Sequence, residues 1–172
     1  MSLRSYSTVI LTFCLILMLS ALSYAQTDEE AKNAALMKRL YDEVVNQGKV
    51  DLIDELLADD FIEHEPLGDV PANKEGVKKL FTMMRTAFPD LKFTVNDMAA
   101  KGDKVWVYIT ISGTQNGPFM DMPASGKKVS VKGFDLVRFA NGKAAEHWGL
   151  SDDMAMMTQL GAMPAPQEEK KK

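Results

Sequence analysis

Thiols and imidazoles are scarce in this chain. It has one cysteine, Cys14, and two histidines, His64 and His147. Cys14 lies in an N-terminal segment with the marks of an export signal, so the mature protein is expected to hold no cysteine. That excludes a disulfide, a thiol nucleophile and a thiolate metal site. The histidines do not have the spacing of zinc ligands, and no metal site is expected. A Gly-rich phosphate loop, a Ser nucleophile elbow and a redox-cofactor fingerprint are also missing, so no cofactor is expected. Basic residues cluster only at Lys170–Lys172, which makes nucleic acid an unsuitable partner.

One long apolar run is present, from Val9 to Leu22, preceded by Arg4 and followed by Ser23-Tyr24-Ala25. A positive start, an apolar middle and small residues at two positions before the cut describe a signal peptide over 1–25, cleaved after Ala25. A single transmembrane anchor is the alternative, although the run is slightly short for a full span. With cleavage the protein is secreted or periplasmic, with no remaining membrane attachment, and loss of Arg4 takes the formal charge from −4 to −5. The remainder suffices for one domain over 26–162, with one sizeable core. Residues 163–172, rich in Pro, Glu and Lys, read as a disordered tail.

Within the domain, Thr27-Asp28-Glu29-Glu30 is a capping box. It opens a helix with two apolar rows, Leu36/Leu40/Val44 and Met37/Tyr41/Val45, stopped at Asn46-Gln47-Gly48. Asp51 is expected to cap a short helix carrying Leu52, Ile53, Leu56 and Leu57. Asp60–Pro66 reads as a short extended piece. Asn73 caps a third helix with Val77, Leu80, Phe81, Met84 and Phe88. The period then changes to two, through Leu91, Phe93 and Val95 and on to Val105, Val107, Ile109 and Ile111. Strands over 128–139 and 143–150 flank an Asn141-Gly142 turn. Ser151 is expected to cap a last helix with Met154, Met157 and Leu160. The sum is an α+β domain: three helices, four long antiparallel strands and a closing helix, with a curved sheet leaving a cone-shaped cavity.

The residues most suggestive of chemistry lie in the second hairpin. Asp135 shares a strand face with Val129, Val131, Val137 and Phe139, where a carboxylate is costly unless paired. A tight Asn141-Gly142 turn would set Asp135 opposite Trp148. A one-residue shift would set it opposite Gly149, with Val137 opposite His147 and Arg138 facing Glu146 as an ion pair. In the shifted register Asp135 and His147 are diagonal neighbours on one face, suited to shared acid/base work near neutral pH.

The chain resembles the SnoaL-like (ester cyclase, polyketide cyclase) branch of the NTF2-like superfamily. The resemblance rests on Leu57-Ala58-Asp59-Asp60-Phe61, His64 before Pro66, Glu75-Gly76-Val77, Ala87-Phe88-Pro89-Asp90 and Gly102-Asp103-Lys104-Val105. It continues through Gly113-Thr114, Pro123, Gly126-Lys127, Arg138, Asn141-Gly142-Lys143, Glu146-His147-Trp148, Asp152 and Gln159-Leu160-Gly161. It implies a cone-shaped α+β barrel and favours the shifted register. It also implies an acid/base Asp immediately after the position of Trp148, where this chain has Gly149, and an assisting His where it has Asp135.

Asp135 and His147 are therefore the candidate catalytic pair, as base and as proton relay or donor. Phe61, His64, Gln115, Phe119, Trp148 and Asp152 are the candidate substrate-binding residues. Each has a plainer role open to it: Asp135 as a satisfied buried acid, His147 as a plug at the strand end, His64 as a surface residue between two Glu. Asp152, with Asp153, would complement the helix N-terminus. The loop Gly117–Pro123 is expected at the cavity mouth, its Phe and Met suiting a small apolar ligand. Trp106 and Tyr108, opposite the buried valines, suit a homodimer interface. Three functions remain open: acid/base cyclisation or isomerisation of a small hydrophobic carbonyl or ester compound, binding of a small apolar molecule without turnover, or a partner-binding module.

Overall fold

A computed structural model describes residues 26–164. The expected signal segment and most of the expected tail lie outside the described residues. Among the described residues no helix is long and apolar enough to cross a membrane.

Helix α1, Asp28–Arg39, starts at the expected capping box: the Thr27 side chain accepts from Glu30 N, and the Glu30 carboxylate accepts from Thr27 N. It runs on into a π-helical turn, Leu40–Val45. Asn46 ends that turn, and its side-chain amide makes two hydrogen bonds to the backbone of Phe93, tying the helix to the sheet edge. A 3-10 turn, Val50–Leu52, leads into the single helical turn α2, Ile53–Leu56. The expected Asp51 cap is not formed, because the chain enters through the 3-10 turn with no side-chain cap bond. Helix α3, Lys74–Ala87, is capped as expected by Asn73, which accepts from Gly76 N.

The strands are β1 Leu57–Glu63, β2 Lys92–Lys101, β3 Lys104–Thr114, β4 Lys128–Ala140 and β5 Lys143–Ser151. They form one curved sheet in the order β1-β5-β4-β3-β2, antiparallel except for β1, which pairs parallel with β5. The short extended piece expected over 60–66 is thus part of a fifth strand that begins at Leu57. Helix α4, Asp153–Leu160, closes the chain and is capped by Asp152, whose carboxylate accepts from Ala155 N. Ser151 instead ends β5. Leu160 is buried as expected and Met157 partly so, but Met156 takes the inward place expected of Met154, which is exposed.

The concave face carries the core expected from the period of two: Val105, Val107, Ile109, Ile111, Val129, Val131, Val137 and Phe139. Met37, Tyr41, Val44, Val45, Met84 and Phe88 meet them from the helices. Val77, Leu80 and Phe81 are only partly buried, because the space in front of them is a cavity.

Candidate functional site

The β4–β5 hairpin combines both geometries that its sequence allows. Asn141 and Gly142 both have positive φ, 51° and 72°, the conformation of a two-residue turn whose twist suits the strands. Ala140 pairs with Lys143 across it. A bulge then intervenes: Phe139 pairs with Ala144, but Arg138 pairs with Glu146, leaving Ala145 as the extra residue. Beyond it the register is the shifted one, Val137 opposite His147 and Asp135 opposite Gly149. The predicted ion pair forms, with Arg138 Nε 2.8 Å from Glu146 Oε1. Asp135, Val137, His147 and Gly149 therefore share the concave side.

Four side chains meet there. The Tyr41 hydroxyl donates to Asp135 Oδ2 at 2.5 Å. His147 Nε2 lies 3.3 Å from Asp135 Oδ1, and its Nδ1 lies 2.7 Å from Glu63 Oε2. Glu63 is held in turn by the backbone N–H of Glu65, which donates to its other carboxylate oxygen at 3.1 Å. Each group is delivered by a different element. Tyr41 comes from the π-helical turn, a local widening of the helix that recurs at functional sites. Glu63 ends β1, and the parallel pairing of β1 with β5 sets it beside His147.

Burial opposes a charge on His147, but its hydrogen bonds and attraction to Asp135 and Glu63 outweigh this and raise its pKa to about 10. At neutral pH it is an imidazolium between two carboxylates, a donor instead of a group poised to titrate as expected. Burial, followed by the negative charge of Asp135, pushes the Tyr41 hydroxyl well above its ordinary value, so it too is a fixed donor.

Two cavities converge on this chain of groups. The inner one, about 160 Å³, lies between α1, α3 and the sheet, with Met37, Val44, Phe61, Phe81 and Val137 among its walls and Tyr41, Glu63, Asp135 and His147 as its polar groups. The outer one, about 490 Å³, is bounded by Leu67, Phe119, Met120, Gly149, Leu150, Met156 and Met157 with neighbouring residues. Asp135 borders both.

The other candidate residues divide between these cavities and other places. Phe61 lines the inner cavity. Phe119 lines the outer one and packs edge-on against Phe88, ring centres 5.3 Å apart. His64 and Trp148 line neither cavity. Strand alternation puts them on the convex side, where their rings stack 4.2 Å apart and His64 Nε2 meets Glu146 Oε2 at 2.8 Å. Gln115 is fully buried away from both cavities. Its amide donates to Pro123 O and accepts from Ser125 Oγ, so it pins the mouth loop. Asp152 is spent as the α4 cap. Tyr41 and Glu63 were not among the sequence candidates: Tyr41 sits in an apolar helical row, and Glu63 flanks a more conspicuous histidine. The available signals were a phenol hydroxyl that needs a partner when buried and the alternation that turns Glu63 away from His64. Among the described residues, no three His, Cys, Asp or Glu side chains are grouped to hold a metal ion.

The sequence profile of SnoaL-like polyketide cyclases matches residues 35–160. Among solved structures, TsrD of Streptomyces laurentii is 30% identical, with a TM-score of 0.72 over 80% of this chain and 100% of its own. A protein of Jannaschia sp. CCS1 described as a SnoaL-like polyketide cyclase is 29% identical, with a TM-score of 0.72 over 81% of this chain and 99% of its own. IdmH of Streptomyces antibioticus, described as a polyketide cyclase, is 30% identical, with a TM-score of 0.67 over 75% and 98%. No curated protein matches the sequence.

Proposed function

The chain belongs to the SnoaL-like polyketide cyclase family, and we propose that it uses Asp135 as an acid/base catalyst for cyclisation or isomerisation of a small hydrophobic carbonyl or ester compound. The observation that carries this reading is the arrangement of Asp135: a carboxylate facing an apolar cavity, held by Tyr41 on one oxygen and His147 on the other. A base so oriented takes a proton from the carbon beside a carbonyl. The electron pair of the broken C–H bond moves onto the carbonyl oxygen as an enolate. The proton later returns from Asp135, either to another carbon in an isomerisation or to the oxygen formed when the enolate closes a ring. His147 and Tyr41 stay protonated throughout. Their positive charge and hydroxyl hold the carboxylate in place and offset the negative charge that gathers near it. These side chains supply the acid and the base without a cofactor.

Gly149 favours a second reading, a non-catalytic protein that holds a small apolar molecule in the same cavity. The acid that the family resemblance implies at that position is absent here. Asp135→Asn separates the two. Under the catalytic reading, turnover across a panel of small carbonyl and ester compounds falls by about 100-fold or more, while an apolar ligand still binds. If a native ligand co-purifies unchanged with wild type and variant alike, and neither turns over any compound, the binding reading replaces the catalytic one.

The setting proposed is secreted or periplasmic, supported by Arg4, the Val9–Leu22 run and Ser23-Tyr24-Ala25. A homodimer is proposed through the convex sheet face. Its support is a pair of adjacent rows across β3, β4 and β5: Trp106, Leu136 and Trp148, then Tyr108, Phe134 and Leu150. A patch of this kind can meet its own copy across a twofold axis.

A further inference from the structure

The two cavities differ in size and in charge, and among the described residues Asp135 is the only polar side chain common to both. The inner one, about 160 Å³, matches the space of about 150 Å³ that accepts a single benzene ring. The outer one is about three times larger, and its charged groups have one sign: Glu65 and Asp153 stand with Asp135 on its wall, and among the described residues no Lys or Arg lines either cavity. His147 is balanced by Asp135 and Glu63. An anionic ligand would face carboxylates on the way in and meet no counter-charge at the end.

We infer that the site selects a two-part ligand: a compact apolar head, about one six-membered ring, in the inner cavity, and a neutral or amine-bearing body in the outer one. This rests on the reading of Asp135 as the reacting group, since it sets the reacting carbon where head and body join. Free carboxylates and phosphate esters are disfavoured. The adaptable thioethers of Met120, Met156 and Met157 let the outer cavity accept bodies of different outline, whereas the inner one sets a size limit.

The experiment uses calorimetric binding to the wild-type protein at low salt with four probes: 4-phenylbutylamine, methyl 4-phenylbutanoate, 4-phenylbutanoate and the naphthyl counterpart of the amine. The expected order places the amine and the ester about tenfold or more tighter than the carboxylate, an effect that salt reduces. The naphthyl probe binds at least tenfold more weakly than the phenyl amine. Neutralising the rim with Glu65→Gln and Asp153→Asn erases the preference for the amine over the carboxylate, while Glu29→Gln with Asp103→Asn, remote from the cavities, leaves it. Equal binding of carboxylate and amine, or a preference indifferent to the rim, overturns the charge assignment. Equal binding of naphthyl and phenyl amines overturns the head size. None of these results depends on turnover, so failure here is distinct from failure of the catalytic reading, which Asp135→Asn tests alone.

Discussion

Gly149 leaves its side-chain space to His147: a Cβ added at Gly149 would lie 2.8 Å from His147 Cε1 and 3.2 Å from Asp135 Oδ1. Ordinary contacts do not come that close, so the imidazole and a side chain at 149 compete for one volume. The glycine is thus more than a missing acid. It is the condition under which His147 reaches Asp135.

Gly149→Ala should therefore fold but displace the ring and lengthen or break its contact with Asp135. The expected result is a fall in the His147 pKa from about 10 toward the ordinary histidine value, read by NMR titration of the Cε1 protons. The chain has two histidines, so a His64 variant assigns the signals. Turnover, where present, should drop by about tenfold or more. An unchanged His147 titration would show that the ring does not depend on the glycine.

The same imidazole makes stability depend on pH. Its pKa is about 6.5 unfolded and about 10 folded, so the folded state binds the proton more tightly. That contribution is complete below about pH 6.5 and is lost as pH rises toward 10. The Tm advantage of wild type over His147→Gln should accordingly be largest near pH 6 and shrink steadily toward pH 10. A difference that stays constant across this range would mean that His147 does not hold its proton there. Activity that depends on the imidazolium should follow the same upper limb.

Tyr41→Phe removes the hydroxyl that donates to Asp135 Oδ2 and leaves the ring in place against the core. A hydrogen bond to a charged, half-buried acceptor contributes about 1.5–3 kcal/mol. Loss of stability in that range is expected by urea unfolding, with the slope of the transition unchanged. Apolar ligands should still bind, since the ring remains in the cavity wall. A cost near zero would show that water replaces the phenol at Asp135.

Much of this architecture was legible in the residues. The period of two in β3 and β4, the Thr27 and Asn73 caps and the Arg138–Glu146 pair follow from local chemistry, and the structure has them where expected. Asp135 and His147 were readable because a hairpin is local: one turn and one bulge relate them. Tyr41 and Glu63 were not, because their partners come from other elements. Glu63 meets His147 through a parallel pairing that no turn signals, and Tyr41 crosses from a helix whose apolar rows explain it without its hydroxyl. The sheet face that His64 and Trp148 occupy was not legible for a related reason. A one-residue step along β1 exchanges the faces of the sheet, and the conspicuous His64 is the residue that turns outward while Glu63 turns in.

The outward face of that sheet gives the last test. Trp106 is 43% exposed, Phe134 60% and Leu150 72%, and the Tyr108 and Phe134 rings stack with centres 4.8 Å apart. Large apolar side chains grouped this way on a sheet cost solubility unless they are covered. If a second copy covers them, a charge placed in the patch must be buried against aromatic carbon, and Trp106→Glu should convert a dimer to a monomer in light scattering. The fold should persist, because Trp106 points away from the core that Val105 and Val107 build. Tyr41, Asp135 and His147 lie on the opposite face, so the variant's pocket binding should be unaltered. A dimer that survives Trp106→Glu would place the contact elsewhere, and a wild-type monomer would remove the interface altogether.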